Sequence, residues 1–114
     1  LSGDAPEARL PTYLWLEAGM ARAQAAGCGV YIAHKGNKTG GMVLLKLSDL
    51  QGECRLLIQQ RDLDGVLGWV DALGRARVSE QDADAYIARS VDRDPDLWAV
   101  EIEDRDMVNP FEPL

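Results

Sequence analysis

Apolar and polar positions change period several times along this chain, and each change marks an element. From Pro11 and Thr12 onward, Leu14, Trp15, Leu16, Ala18, Met20, Ala21, Ala23, Ala25 and Ala26 form a run of strong helix formers, stopped by Gly27. Polar residues are few within it: Glu17 and Gln24 share a face, and Arg22 lies near the Trp15 side. A helix this apolar on most sides is expected to be largely buried, its alanines allowing close approach to a sheet.

The period then drops to two. In CGVYIAHK (28–35), Val30, Ile32 and His34 alternate with Tyr31, Ala33 and Lys35; in MVLLKLSDL (42–50), Val43, Leu45 and Leu47 alternate with Leu44, Lys46 and Ser48. ECRLLIQQR (53–61) sets Cys54, Leu56 and Ile58 against Glu53, Arg55 and Gln59. The turn Asp62-Leu63-Asp64-Gly65 leads to a short strand, 66–70, weakened by Gly68. Ser79 then opens a second helix: it caps, Asp82 completes a box, Val78 staples onto Ala83, and Asp94-Pro95 ends it. Ala83, Tyr86, Ile87 and Val91 make its inward stripe. LWAVEIE (97–103) alternates again, with Trp98, Val100 and Ile102 inward and Glu101 and Glu103 outward.

The order α-β-β-β-β-α-β predicts a small α+β domain with an antiparallel sheet. Short turns make the first four strands a meander, the last strand returns beside the first, and two helices cover one face while the other stays wet. Residues 9–106 form the single domain. Residues 1–8 are expected to be disordered or an expression remnant, and 107–114, with two prolines, an irregular tail.

A chain of 114 residues buries one modest core. Its apolar runs are too short to cross a bilayer, and residues 1–9 lack the basic start and apolar stretch of a secretion signal. Cys28 and Cys54 are too few for a disulfide framework and read as small apolar residues, which suits a reducing cytoplasm. The net charge of −7 argues against nucleic acid and against an anionic membrane. Its distribution says more. No acid lies between Glu17 and Asp49, where Arg22, Lys35, Lys38 and Lys46 fall, whereas from Glu80 onward eleven acids face three bases. Such polarity suits an intramolecular match or a contact between subunits.

Candidate chemistry is thin. HKGNKTGGMVLLKL (34–47) has the parts of a phosphate loop, but the lysine and glycines are in the wrong order and a strand follows, so no helix terminus draws in an anion. The turn of a hairpin fits better. An anion contact through Lys35, Lys38, Thr39 and Lys46 is the remaining alternative. Asp92, Asp94, Asp96, Trp98 and Glu103 match calcium-loop spacing, but Leu97 stands where that loop needs glycine. With one histidine and two cysteines no zinc site is expected, and neither metal nor cofactor is predicted. His34 as a base for Cys28 is unfavourable, because six residues of strand separate them by ~20 Å. Glu101 and Glu103, about 7 Å apart on one strand face, read as exposed acids rather than a glycosidase pair. Trp69, after Gly68, is the tryptophan expected at a contact surface.

RLPTYLWL (9–16), RAQAAG (22–27), KGNKTGGMVLLKL (35–47) and DPDLWAVEIEDR (94–105) together resemble the bacterial domain-of-unknown-function 1491 family, most specifically in the closing segment. The resemblance implies a single cytoplasmic domain and brings no activity, cofactor or catalytic residue. The expected function is a non-enzymatic interaction module, a homodimer. The alternative is a binder of, or enzyme acting on, a small phosphorylated ligand.

Overall fold

The computed structural model describes residues 11–111. In chain order its elements are α1 (Thr12–Ala25), β1 (Gly29–His34), β2 (Val43–Ser48), β3 (Glu53–Arg61), β4 (Leu67–Asp71), the short β5 (Val78–Ser79), α2 (Glu80–Arg93) and β6 (Trp98–Glu103). The α+β class and both helices are as expected. Ser79 caps α2, accepting from the Asp82 amide at 3.0 Å, and Val78 and Ala83 share one apolar cluster.

The strand order corrects the expected meander. It is β1-β6-β2-β3-β4, with β5 beside the start of β3. β6 does return beside β1, antiparallel, but it also pairs in parallel with β2 and so separates two strands expected to be hairpin partners. Among the described residues only β2, β3 and β4 form a meander. Residues 35–42 are therefore a crossover, passing over the start of β6. The Asn37 amide donates to the Asp96 carbonyl at 2.9 Å, Trp98 Nε1 to the Asn37 carbonyl at 2.7 Å, and the Trp98 amide to the Met42 carbonyl at 2.8 Å.

This crossover explains the glycines. A Cβ on Gly36 or Gly41 would overlap the Asp96 carbonyl oxygen, backbone that cannot swing aside, whereas Gly40 has open space around it. Gly36→Ala is expected to cost about 1–3 kcal/mol in chemical denaturation. Gly40→Ala should stay within about 0.5 kcal/mol of the parent. Equal effects would mean that the crossover does not lie against β6.

The helices lie on opposite faces of the sheet, not on one. Val43, Leu45 and Leu47 of β2 join Val100 and Ile102 of β6 in a core with Leu16 and Ala23 of α1. Leu44 and Ala99, on the other face, pack with Tyr86, Ile87 and Val91 of α2. A strand flanked by a parallel and an antiparallel neighbour under two helices has no wet side, and every residue of β2 is buried. Burying each of its leucines is worth about 1.5–3 kcal/mol over exposure.

Two further expectations fail at the edges of this core. α1 buries only Leu16, Gly19 and Ala23, so the outward positions Leu14, Ala18, Ala21 and Ala25 stay exposed. Residues 107–111, placed in a tail beyond the domain, instead carry Met107 and Phe111 into the α1-side core. Their backbone is irregular, but it is pinned: Arg22 Nη2 donates to the Pro110 carbonyl at 2.9 Å and Arg55 Nη1 to that of Met107 at 3.0 Å. The expectations for residues 1–8 lie outside the described residues.

Candidate functional site

The densest set of polar groups lies on the α2 face of the sheet. β2 sets Lys46 between Leu45 and Leu47, and alternation turns it away from the α1 core toward α2. There its ammonium group meets Asp84 at 2.7 Å, Glu80 at 3.1 Å and Glu101 at 3.5 Å. Glu80 and Asp84 are four residues apart on α2 and so share a helix face. Glu101 stands beside Lys46 because β6 and β2 pair in register there. Lys46 itself is 3% exposed. Burial alone lowers the pKa of an ammonium group, but hydrogen bonds to Asp84 and Glu80 and the charge of Glu101 outweigh it and raise Lys46 above its ordinary value.

Such a lysine stays protonated at neutral pH and is neither a nucleophile nor a base. Its donors are spent on three carboxylates. Cys54, fully buried nearby, has its thiol pushed up to about 11, first by burial, with the Glu80, Asp84 and Glu101 charges adding and Lys46 opposing. A thiol so placed is not a thiolate at neutral pH.

The other candidates are scattered. Lys35 and Lys38 lie in the crossover at the start of β6, whereas Lys46 is three residues along β2 from the strand position opposite Trp98. The crossover's amides are also engaged: Asn37 Oδ1 accepts from the Thr39 amide at 3.0 Å, the Thr39 hydroxyl at 2.9 Å and the Gly40 amide at 3.2 Å. This Asx turn occupies donors that an anion needs. His34 Nε2 donates to the Pro95 carbonyl at 3.0 Å. Glu101 and Glu103 diverge, the first reaching Lys46 and the second accepting from the Tyr31 hydroxyl at 3.3 Å. Asp94, from the calcium-loop spacing, caps its own turn at the Asp96 amide. Among the described residues no group of three or more His, Cys, Asp or Glu is placed to hold a metal ion.

Trp69 is half-buried. It stacks on Trp15, ring centroids 6.1 Å apart at 19°, and meets Phe111 at 6.1 Å. The Lys46 cluster went unread in the sequence. Its signal was a lysine inside an otherwise apolar strand, which demands buried partners, together with an acidic pair at helical spacing.

With that geometry in view, comparison with known proteins places the chain. The sequence model of the protein-of-unknown-function family DUF1491 matches residues 10–112. The chain belongs to the DUF1491 family. A crystal structure of a DUF1491 protein from Caulobacter crescentus CB15 is 38% identical, covering 92% of this chain and 96% of that one, with a TM-score of 0.83. An NMR structure of a DUF1491 protein from the same organism is 36% identical over 89% and 91% of the two chains, with a TM-score of 0.77. Protein Atu0922 from A. tumefaciens, at 24% identity, shares the fold at a TM-score of 0.67 over 84% of this chain and 86% of that one. No curated protein matches. Nothing in the DUF1491 relationship points to a specific activity, and no helix among the described residues is long and apolar enough to cross a membrane.

Proposed function

We propose that this DUF1491 protein is a non-enzymatic, cytoplasmic interaction module that associates with itself. One contrast carries the reading. The groups that chemistry would need are bonded within the fold, while large apolar side chains stand at the surface, among them Tyr31 at 53% and Ile32 at 48% exposure. Lone apolar residues on a surface are ordinary. These two are neighbours on the outermost strand, whose other edge pairs with no strand among the described residues, and that combination favours a protein partner.

The bare sheet face expected from the sequence does not supply the contact, because α1 and α2 cover both faces. The exposed strand edge and the charge polarity take its place. The anion reading through Lys35, Lys38, Thr39 and Lys46 has less support, since Lys46 is taken up by carboxylates and the Asn37 turn holds the loop amides.

Multi-angle light scattering over a concentration series tests the proposal, together with thermal melts in phosphorylated metabolites. A dimer mass and unchanged melts are expected. A monomer at every concentration, with a stabilising shift lost on Lys38→Ala, would overturn it in favour of the anion site.

A further inference from the structure

We infer that two copies join through the outer edges of their β1 strands, antiparallel about a two-fold axis near Tyr31 and Ile32, making one continuous sheet. This rests on the self-association proposed above and names the surface. β1 pairs with β6 on one side only, and among the described residues no strand covers the other. Open edges are normally blunted by charge or proline. From Gly29 to Ala33 β1 has neither, although a bulge between Ile32 and His34 limits how far the pairing runs straight.

Charge chooses a second copy as the occupant. At the start of β1, Gly29 has no side chain, and the Glu103 carboxylate lies in the space thus left: a Cβ there would sit 2.6 Å from Glu103 Oε1. The Tyr31 hydroxyl holds that carboxylate at 3.3 Å. At the far end of the strand stands exposed Lys35. Antiparallel pairing with the two-fold at Ile32 sets the Lys35 end of each copy opposite Gly29 of the other, and past the bulge the long Lys35 side chain reaches the Glu103 carboxylate around the strand end. The symmetry makes two such ion pairs at once.

The apolar part matches as well. Beside this edge α1 and β1 border an open cleft of about 540 Å³ lined by Glu17, Met20, Gln24, Val30, Tyr31 and Ile32. The two-fold keeps both α1 helices on one face of the joined sheet, so the two Ile32 side chains meet at the mouths of these clefts. The opposite edge is worse suited. β4 spans only Leu67–Asp71, is weakened by Gly68 and ends on an acid, and a two-fold at its middle sets Asp71 against Leu67, so no ion pair forms across it.

The test is sedimentation equilibrium of the full chain by analytical ultracentrifugation, on the parent, Ile32→Lys, Lys35→Glu, and Lys35→Glu combined with Glu103→Lys, with Ala21→Glu and Val70→Lys as controls on α1 and β4. The parent is expected to be a dimer weakened by salt. Ile32→Lys and Lys35→Glu should each raise the dissociation constant about tenfold or more, and the charge swap should restore it. Lys35 is exposed, so its variant keeps the fold, which a thermal melt verifies. A dimer indifferent to Ile32→Lys and Lys35→Glu, or broken by Ala21→Glu or Val70→Lys alone, overturns the β1 interface while leaving self-association standing. A parent that is monomeric throughout overturns both.

Discussion

Phe111→Ala is expected to destabilise the fold by about 3–5 kcal/mol, the range for deleting a buried phenylalanine ring. Phe111 is 1% exposed and packs against Trp15, ring centroids 4.9 Å apart, and against Trp69. Its ring also fills the space over Gly19, where any Cβ would overlap it. The aromatic cluster thus draws on α1, β4 and the segment after β6. The cavity left by alanine cannot close without moving one of them, because helix and strand are fixed independently by the core behind. The Phe111 amide is held by Asn109 Oδ1 at 2.9 Å, so the backbone has no slack to follow the shortened side chain. Val108 supplies the control. It is 60% exposed, and Val108→Ala should change stability by no more than about 0.5 kcal/mol. Urea denaturation of both variants makes the comparison. Equal midpoints would show that residues 107–111 merely lie on the surface.

That segment also shows where local sequence signals stop. Asn109-Pro110-Phe111 reads as irregular, and it is, but irregular backbone says nothing about burial; one aromatic side chain between two prolines was the only hint. The elements themselves were legible because their causes are local. Ser79, Val78, Ala83 and Asp82 specify the start of α2 within the six residues 78–83, and the cap and staple form as written. Strand order is different. Residues 35–41 carry hairpin chemistry, and nothing within them tells whether β2 pairs with β1 or leaves room for β6, whose Trp98 pairs with Val43 from far along the chain. In retrospect the unbroken run Val43-Leu44-Leu45 was the clue, since a strand with a wet face does not spend three consecutive positions on large apolar residues. The same run bears on the candidate site. Once both faces of β2 are covered, Lys46 cannot reach water, and the acidic half of the chain must come to it. The charge polarity that suggested a contact between subunits is thus partly spent inside the molecule, on Glu80, Asp84 and Glu101.

Lys46→Met therefore separates a structural lysine from a functional one. Methionine matches the stem and removes the ammonium, leaving three carboxylates without their common partner. Glu80 and Asp84, with side chains 46% and 60% exposed, turn to water at little cost; Glu101, at 23%, does not. The expected loss at pH 7 is about 2–3 kcal/mol, below the 3–5 of a fully enclosed pair because two partners are half in solvent. The pH dependence has a definite sign. The folded-state pKa of Lys46 lies above its ordinary 10.5, so its contribution is complete below that pH and fades as pH climbs through the folded value. The gap between parent and Lys46→Met should accordingly stay level from pH 7 to 10 and narrow only in stronger alkali. A lysine kept for ligand binding or catalysis behaves in the opposite way: it is held at a cost to stability, and replacing it with an apolar residue raises the melting temperature. A Lys46→Met protein more stable than the parent would mean that the carboxylates are arranged for something other than the fold, and would return this cluster to the centre of the functional question.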